Sequence, residues 1–156
     1  MAFRLVKFTP TGQAAAAYSS GDSVGVCSAV PNLVDVSGGA CKLESLAVID
    51  KSNQKLGVDV YFFDSAPGTI VAANAAFDIP VASGPKFLGK VVVAAGKYET
   101  VGASNLAVAQ LLAADLNPII LKAAAGTKTI YCTVVSRGTP TYGAAAVSIQ
   151  IGVSDV

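Results

Sequence analysis

The side chains that carry most enzyme chemistry are scarce or scattered in this chain. It has no histidine, so the commonest general base and zinc ligand is missing and a Ser-His-Asp triad cannot be assembled. Three cysteines, Cys27, Cys41 and Cys132, form no CxxC pair. Without a secretory pattern they read as reduced, buried small hydrophobes, and a Cys27–Cys41 bridge is formally open. Carboxylate pairs for glycoside hydrolysis would come from Glu44, Glu99, Asp59 and Asp64. These acids fall at strand ends or on solvent-facing positions, where solvated edge charges are the simpler reading. Asp50, Asp59 and Asp64 lie outside any D-x-D-x-D-G calcium loop, and neither G-x-G-x-x-G nor G-x-x-x-x-G-K-[ST] occurs. The sequence therefore predicts no catalytic residues, no cofactor and no metal, and a protein that is not an enzyme.

Two further groups remain. Tyr61-Phe62-Phe63 reads either as a central strand with aromatic side chains toward both faces or, less favoured, as a platform for a carbohydrate or protein partner. Arg137, in the turn Arg137-Gly138-Thr139-Pro140-Thr141-Tyr142, is equally suited to grip a neighbour's carboxylate or to pair within its own loop.

The elements that would position these residues are mostly strands. Phe3 to Phe8 alternates before the Thr9-Pro10-Thr11-Gly12 turn, and Asp22 to Val30 ends at Pro31-Asn32. Ala40 to Asp50 alternates with Cys41, Leu43, Ser45, Ala47 and Ile49 on one face. It is joined by the polar loop Lys51 to Lys55 to Gly57–Asp64, which reads as a hairpin. After the Pro67-Gly68 turn, Asn74 to Phe77 is expected as a single helical turn, with Asn74 as cap and Pro80 as terminator. Strands follow at Phe87–Ala95 and Tyr98–Val101, then a pair at Ile119–Lys122 and Thr127–Ser136, and a last one at Ala145–Val153. Asn105 to Asp115 has helix propensity and Ser104 as a cap. The rhythm of short strands around it favours a strand.

Seven or more short strands with Gly- and Pro-rich turns predict an all-β, antiparallel β-sandwich, jelly-roll-like, occupying residues 1–156 as a single domain. Its N-terminal strand or arm, about residues 1–20, is expected to contact neighbours.

Composition bounds the partners. Charged residues make up 13% where about 25% is usual, and 53% are hydrophobic. The most apolar segment, Leu106 to Leu116, is broken by Gln110 and Asp115, and no run of about 18 apolar residues exists. No signal-peptide pattern precedes Pro10, because Arg4 and Lys7 punctuate the apolar stretch. Net charge is +1 with scattered lysines, and nothing resembles a basic stripe for nucleic acid. The expectation is a cytoplasmically made protein that binds neither nucleic acid nor membrane. Its low-charge surface suits burial against other proteins, since little charge must be desolvated.

Two strings sharpen this. Ala125-Gly126-Thr127 through Ile130-Tyr131 to Arg137-Gly138-Thr139-Pro140-Thr141-Tyr142 resembles an "AGT…LY…RGTPTY" pattern ahead of the last strand in small virion proteins of tailed bacteriophages. Asp59-Val60-Tyr61-Phe62-Phe63-Asp64 followed by Asn74-Ala75-Ala76-Phe77 is similar to that family's "DLYFFD…NAAF" segment. The resemblance implies a structural protein of the particle, most readily a capsid decoration (cement) protein. It would sit on the outer capsid surface, bound to the major capsid protein and to copies of itself, a trimer around a local axis being one arrangement. A tail, neck or fibre location is the alternative. A carbohydrate-binding sandwich using Tyr61 or Tyr98 is another. Phe3, Arg4, Arg137 and Tyr142 are the expected interface residues, because termini and loop tips reach neighbours most easily.

Overall fold

The computed structural model describes residues 2–68, 73–103 and 105–156. Twelve strands form within them: β1 (Phe3–Phe8), β2 (Ala16–Ala17), β3 (Ser28–Val30), β4 (Ala40–Asp50), β5 (Val58–Phe63), β6 (Phe87–Val93), β7 (Tyr98–Thr100), β8 (Ala107–Leu112), β9 (Ile120–Lys122), β10 (Ile130–Ser136), β11 (Thr141–Tyr142) and β12 (Val147–Asp155). Two antiparallel sheets make a β-sandwich. The first runs β1-β12-β4-β8-β7, with β9 also on β4, and the second runs β3-β10-β5-β6. β2 and β11 form a small pair of their own.

The pairing is nested from the outside in: β1 with β12, β3 with β10, β4 with β8, β5 with β6. Several successive strands cross from one sheet to the other, and this corrects two expected local pairings. β4 and β5 do not form a hairpin but lie in opposite sheets, and so do β9 and β10. The cause of the first crossing is local. The Asp50 carboxylate, buried at the end of β4, accepts the backbone N–H groups of Ser52, Gln54 and Lys55 at 2.8, 2.7 and 3.1 Å. It thereby turns the loop away from β4, satisfying its own charge with charge-assisted bonds.

Between the sheets lies one apolar core, in which Leu46, Phe62, Ile130, Val134, Ile149 and Ile151 are fully buried. Each such side chain contributes about 1.5–3 kcal/mol on burial. Within residues 105–115, Ala107–Leu112 form strand β8, with Ala107, Ala109 and Leu111 turned into this core. Tertiary pairing with β4 and β7 overrides the helix propensity there. Its expected cap, Ser104, lies outside the described residues.

Two other expectations are corrected. Only Ser28–Val30 of the 22–30 segment is strand, because Asp22 and Ser23 instead bridge to Ala76 and Val135. Asn74–Phe77 is not helical. The Asn74 and Phe77 N–H groups bond the Ser23 and Gly21 carbonyls, which ties the segment to the 19–27 stretch instead of into a helical turn. Pro80 stands ahead of the 3₁₀ segment Val81–Lys86 rather than ending a helix.

The alternation of β4 is also interrupted. Gly152 pairs with Ser45 and Val153 with Leu43, so Glu44 is an extra residue in a β-bulge. Cys41 and Leu43 are buried on one side of it and Leu46 and Val48 on the other. Ser45, Ala47 and Ile49 are thereby moved from the core face, where plain alternation puts them with Cys41, to the outer face.

Candidate interaction surface

The four residues expected to meet a partner are not brought together. Phe3 is on the outer face of the first sheet, 62% exposed. Its ring lies over Gly152, where an added Cβ would come within 2.8 Å of a ring carbon. The glycine is what lets the ring sit flat on the strand. Arg4 points the other way and is consumed internally. It pairs with Asp155 and with Asp35 at 3.4 Å and donates to the Leu33 carbonyl at 3.3 Å. β1 is thus not a loose arm: every residue from Phe3 to Phe8 has a partner on β12.

Arg137 does neither of the things expected of it: it pairs inside the protein but outside its own loop, its Nε lying 3.0 Å from the buried carboxylate of Asp59 on β5, with Lys90 at 3.5 Å on the same oxygen. Tyr142 corrects the expectation of a reaching loop tip, since it is only 2% exposed. The short β2–β11 pairing tucks it inward, its ring centroid 5.6 Å from that of Tyr18.

The two family-like strings do meet, and what they build is the second sheet. Tyr61 on β5 pairs with Thr133 on β10, and Phe62 with Cys132. Phe62 enters the core while Phe63, also fully buried, lies on the opposite face. There Tyr61, Phe63, Phe77 and Phe87 form an aromatic cluster with centroid spacings of 4.7–6.1 Å. Segments 19–27 and 73–80 lie over this face through the Asp22–Ala76 and Ser23–Val135 bridges. The central-strand reading of Tyr61-Phe62-Phe63 is the observed one. Tyr61 is half-buried under Phe77 and Tyr98 is buried, so neither is an open stacking platform for a sugar.

The remaining reactive groups are mostly bonded internally, buried or kept apart. Glu44 accepts from Ser154 at 2.7 Å and from Lys42, which together hold its carboxyl below the usual range. Asp64 accepts from Ser65, and Glu99 lies on β7, in the other sheet from Asp59 and Asp64. All three cysteines are free thiols. Burial pushes the Cys41 thiol up to about 11 and raises Cys132 and Cys27 as well, so thiolate is scarce at neutral pH. Among the described residues no group of three His, Cys, Asp or Glu side chains is placed to hold a metal ion. No helix among them is long and apolar enough to cross a membrane.

What stays open is the outer face of the first sheet. Its rows run across the strands. One row is Leu5, Gly152, Ser45 and Leu112, and the next is Lys7, Gln150, Ala47 and Gln110. A third joins Ser148, Ile49, Val108 and Glu99. Across β12, β4 and β8 these rows carry no charge; Lys7 and Glu99 mark the two edges, and the Lys42–Glu44 pair beside Ser154 bounds one end of the face. Leu5 and Leu112 are 53% and 55% exposed. A shallow depression of about 380 Å³ lies between Lys7, Ile49 and Ser148. Small side chains keep the middle flat and uncharged, the character of a surface that is cheap to desolvate against another protein.

No protein-family model matches this chain, and no curated protein matches it. Among solved structures it is similar to a chain of tomato aspermy virus, with 12% identity, 97% of this chain and 75% of that one covered, and a TM-score of 0.40. A second is VP2 of the infectious bursal disease virus subviral particle, at 15% identity, 99% and 38% coverage and a TM-score of 0.27.

Proposed function

We propose that this chain is a structural protein of a virus particle, a capsid decoration (cement) protein that binds the major capsid protein and copies of itself rather than catalysing a reaction. The observation that carries the reading is the winding of the strands. Taking β1, β3, β4, β5, β6, β8, β10 and β12 as strands one to eight, the sheets run 1-8-3-6 and 2-7-4-5. That is the order made by rolling up a long nested hairpin, and we read it as a jelly roll, an architecture that recurs in viral capsid domains, lectins and cupins. Fold alone does not choose among those functions. The rows of uncharged side chains on the outer face of the first sheet favour protein partners, and Glu44, Asp50, Asp59 and Asp64 are committed to structural bonds. The two strings that resemble tailed-phage virion proteins favour the particle.

The mechanism is mechanical. A flat, low-charge face laid across adjacent capsid subunits would add many small contacts per copy, and repetition over the lattice would multiply them. An interface of about 800 Å² per partner is ordinary for a specific complex.

Cryo-electron microscopy of the particle encoded with this chain tests the reading. Many copies over the shell, with the first sheet turned toward it, are expected. A few copies at one vertex would place the protein in the tail or neck, and its absence from the particle would overturn the proposal.

A further inference from the structure

The edge strand β1 carries information about the partner that its neighbours do not. The Asp155 N–H donates to the Ala2 carbonyl at 3.3 Å. In an antiparallel ladder hydrogen-bonded pairs alternate, so Arg4, Val6 and Phe8 direct their backbone groups to Val153, Ile151 and Ile149 on β12. The N–H and C=O groups of Phe3, Leu5 and Lys7 therefore point away from the sheet. Among the described residues nothing bonds them. Their side chains stand on the outer face, where Phe3 and Leu5 are well exposed.

Natural edges are blunted by charged side chains, proline, bulges, short length or cover; β1 carries Arg4 and Lys7 but has no proline, bulge or covering segment. It pairs over six residues without a register shift. The other ends of the sheets differ. β3 and β7 have three residues each, and β6 approaches Ile119 beside β9 through Gly89.

We propose that β1 pairs antiparallel with β1 of a second copy across a two-fold axis at Leu5. Only this register sets each of the three open residues against another open one: Leu5 faces Leu5, and Phe3 faces Lys7 in both directions. Six backbone hydrogen bonds result. Shifting by one residue sets open residues against residues already bonded to β12; shifting by two leaves fewer pairs. The side chains agree with the register. The two leucines meet on the axis, and each Lys7 ammonium lies beside a Phe3 ring, a favourable cation–π pairing.

Charge does not oppose it. Arg4 is already neutralised by Asp35 and Asp155. The two Lys7 residues stand four positions apart along the strands, about 14 Å, which exceeds the screening length of about 8 Å at physiological salt. The pair would join two first sheets edge to edge, so that the row Leu112, Ser45, Gly152 and Leu5 continues into its symmetry copy and the uncharged face doubles. This inference stands on the strand geometry and does not require the virion reading.

Sedimentation of the purified protein should show a species of twice 15.6 kDa. Leu5→Lys, which sets two ammonium groups on the axis, should raise the dimer dissociation constant by roughly a hundredfold while far-UV circular dichroism stays unchanged. Register is read by cross-linking, since hydrogen-bonded partners about 5.5 Å apart lie within disulfide reach. Leu5→Cys should link to itself under mild oxidation. Phe3→Cys should link to Lys7→Cys in a mixture, and neither should link alone. A protein that stays monomeric up to about 1 mM, the weak end of the affinity scale, would overturn the proposal. So would a trimer, or Phe3→Cys or Lys7→Cys linking to itself.

Discussion

The outer faces of the two sheets have opposite fates. On the second sheet, aromatic rings and a buried carboxylate lie under covering segments, and Asp59 draws Arg137 and Lys90 onto one oxygen. On the first, the corresponding surface is uncovered and, away from the Lys42–Glu44 pair at one end, uncharged, with one glycine left bare so that a ring can lie on it. The face that carries the recognisable strings is the one already occupied by its own chain. The face left for others is built of unremarkable serine, alanine, glutamine and leucine. A signature of this kind reports the scaffold, and the proposed interaction surface lies where the sequence is plain.

Mutations separate the faces by size of effect. Phe63→Ala, under the cover of the second sheet, should cost about 3–5 kcal/mol in denaturant unfolding. Leu112→Ala on the open face should change stability by less than about 0.5 kcal/mol. Equal costs would dissolve the distinction. Asp50→Ala removes an acceptor shared by three buried-end N–H groups and should cost about 3 kcal/mol. The Lys51–Lys55 amides should lose their hydrogen-exchange protection in that variant, and a variant with unchanged protection would contradict the loop's dependence on Asp50.

Alkali probes the interior on which both faces rest. Burial raises the Tyr98, Tyr142 and Tyr18 hydroxyls above their ordinary 10.0 and the Cys41 and Cys132 thiols above 9.0. The folded chain keeps these protons where the unfolded chain releases them. Their stabilisation is therefore complete below about pH 9 and declines as pH rises through the folded values. The unfolding midpoint should fall steadily above pH 9, and a midpoint that held level across the tyrosine range would refute the burial. A small effect is also expected of the Asp59–Arg137 pair. With the Arg137 side chain 51% exposed, screening limits their coupling to about 1 kcal/mol or less in a double-mutant cycle.

Much of the sandwich is legible in the sequence because period-2 alternation is local. β1, β4, β5, β6, β10 and β12 fall where the pattern places them, and β8 follows from context against propensity. What the pattern lacks is the partner. Nothing in Ala40–Asp50 announces that its neighbours are β12 and β8 rather than β5, since closure of first strand on last is non-local and the Asp50 turn is made by one carboxylate. The bulge at Glu44 is equally silent, and it decides that Ser45, Ala47 and Ile49 face outward. Phe3 could be read as exposed from its place near the terminus. Arg137 and Tyr142 could not be read as internal, because Asp59 and the two-residue β2 strand that engage them are remote in sequence.

The central claim is that the open face of the first sheet is the binding face. It is tested most directly by adding purified variants back to particles stripped of this protein and measuring bound copies. Leu112→Glu and Val108→Lys, each folded and each placing a charge on that face, should lose most binding, while Val92→Lys on the second sheet should bind as the unaltered chain does. Undiminished binding of the first two variants, or loss confined to Val92→Lys, would contradict the account.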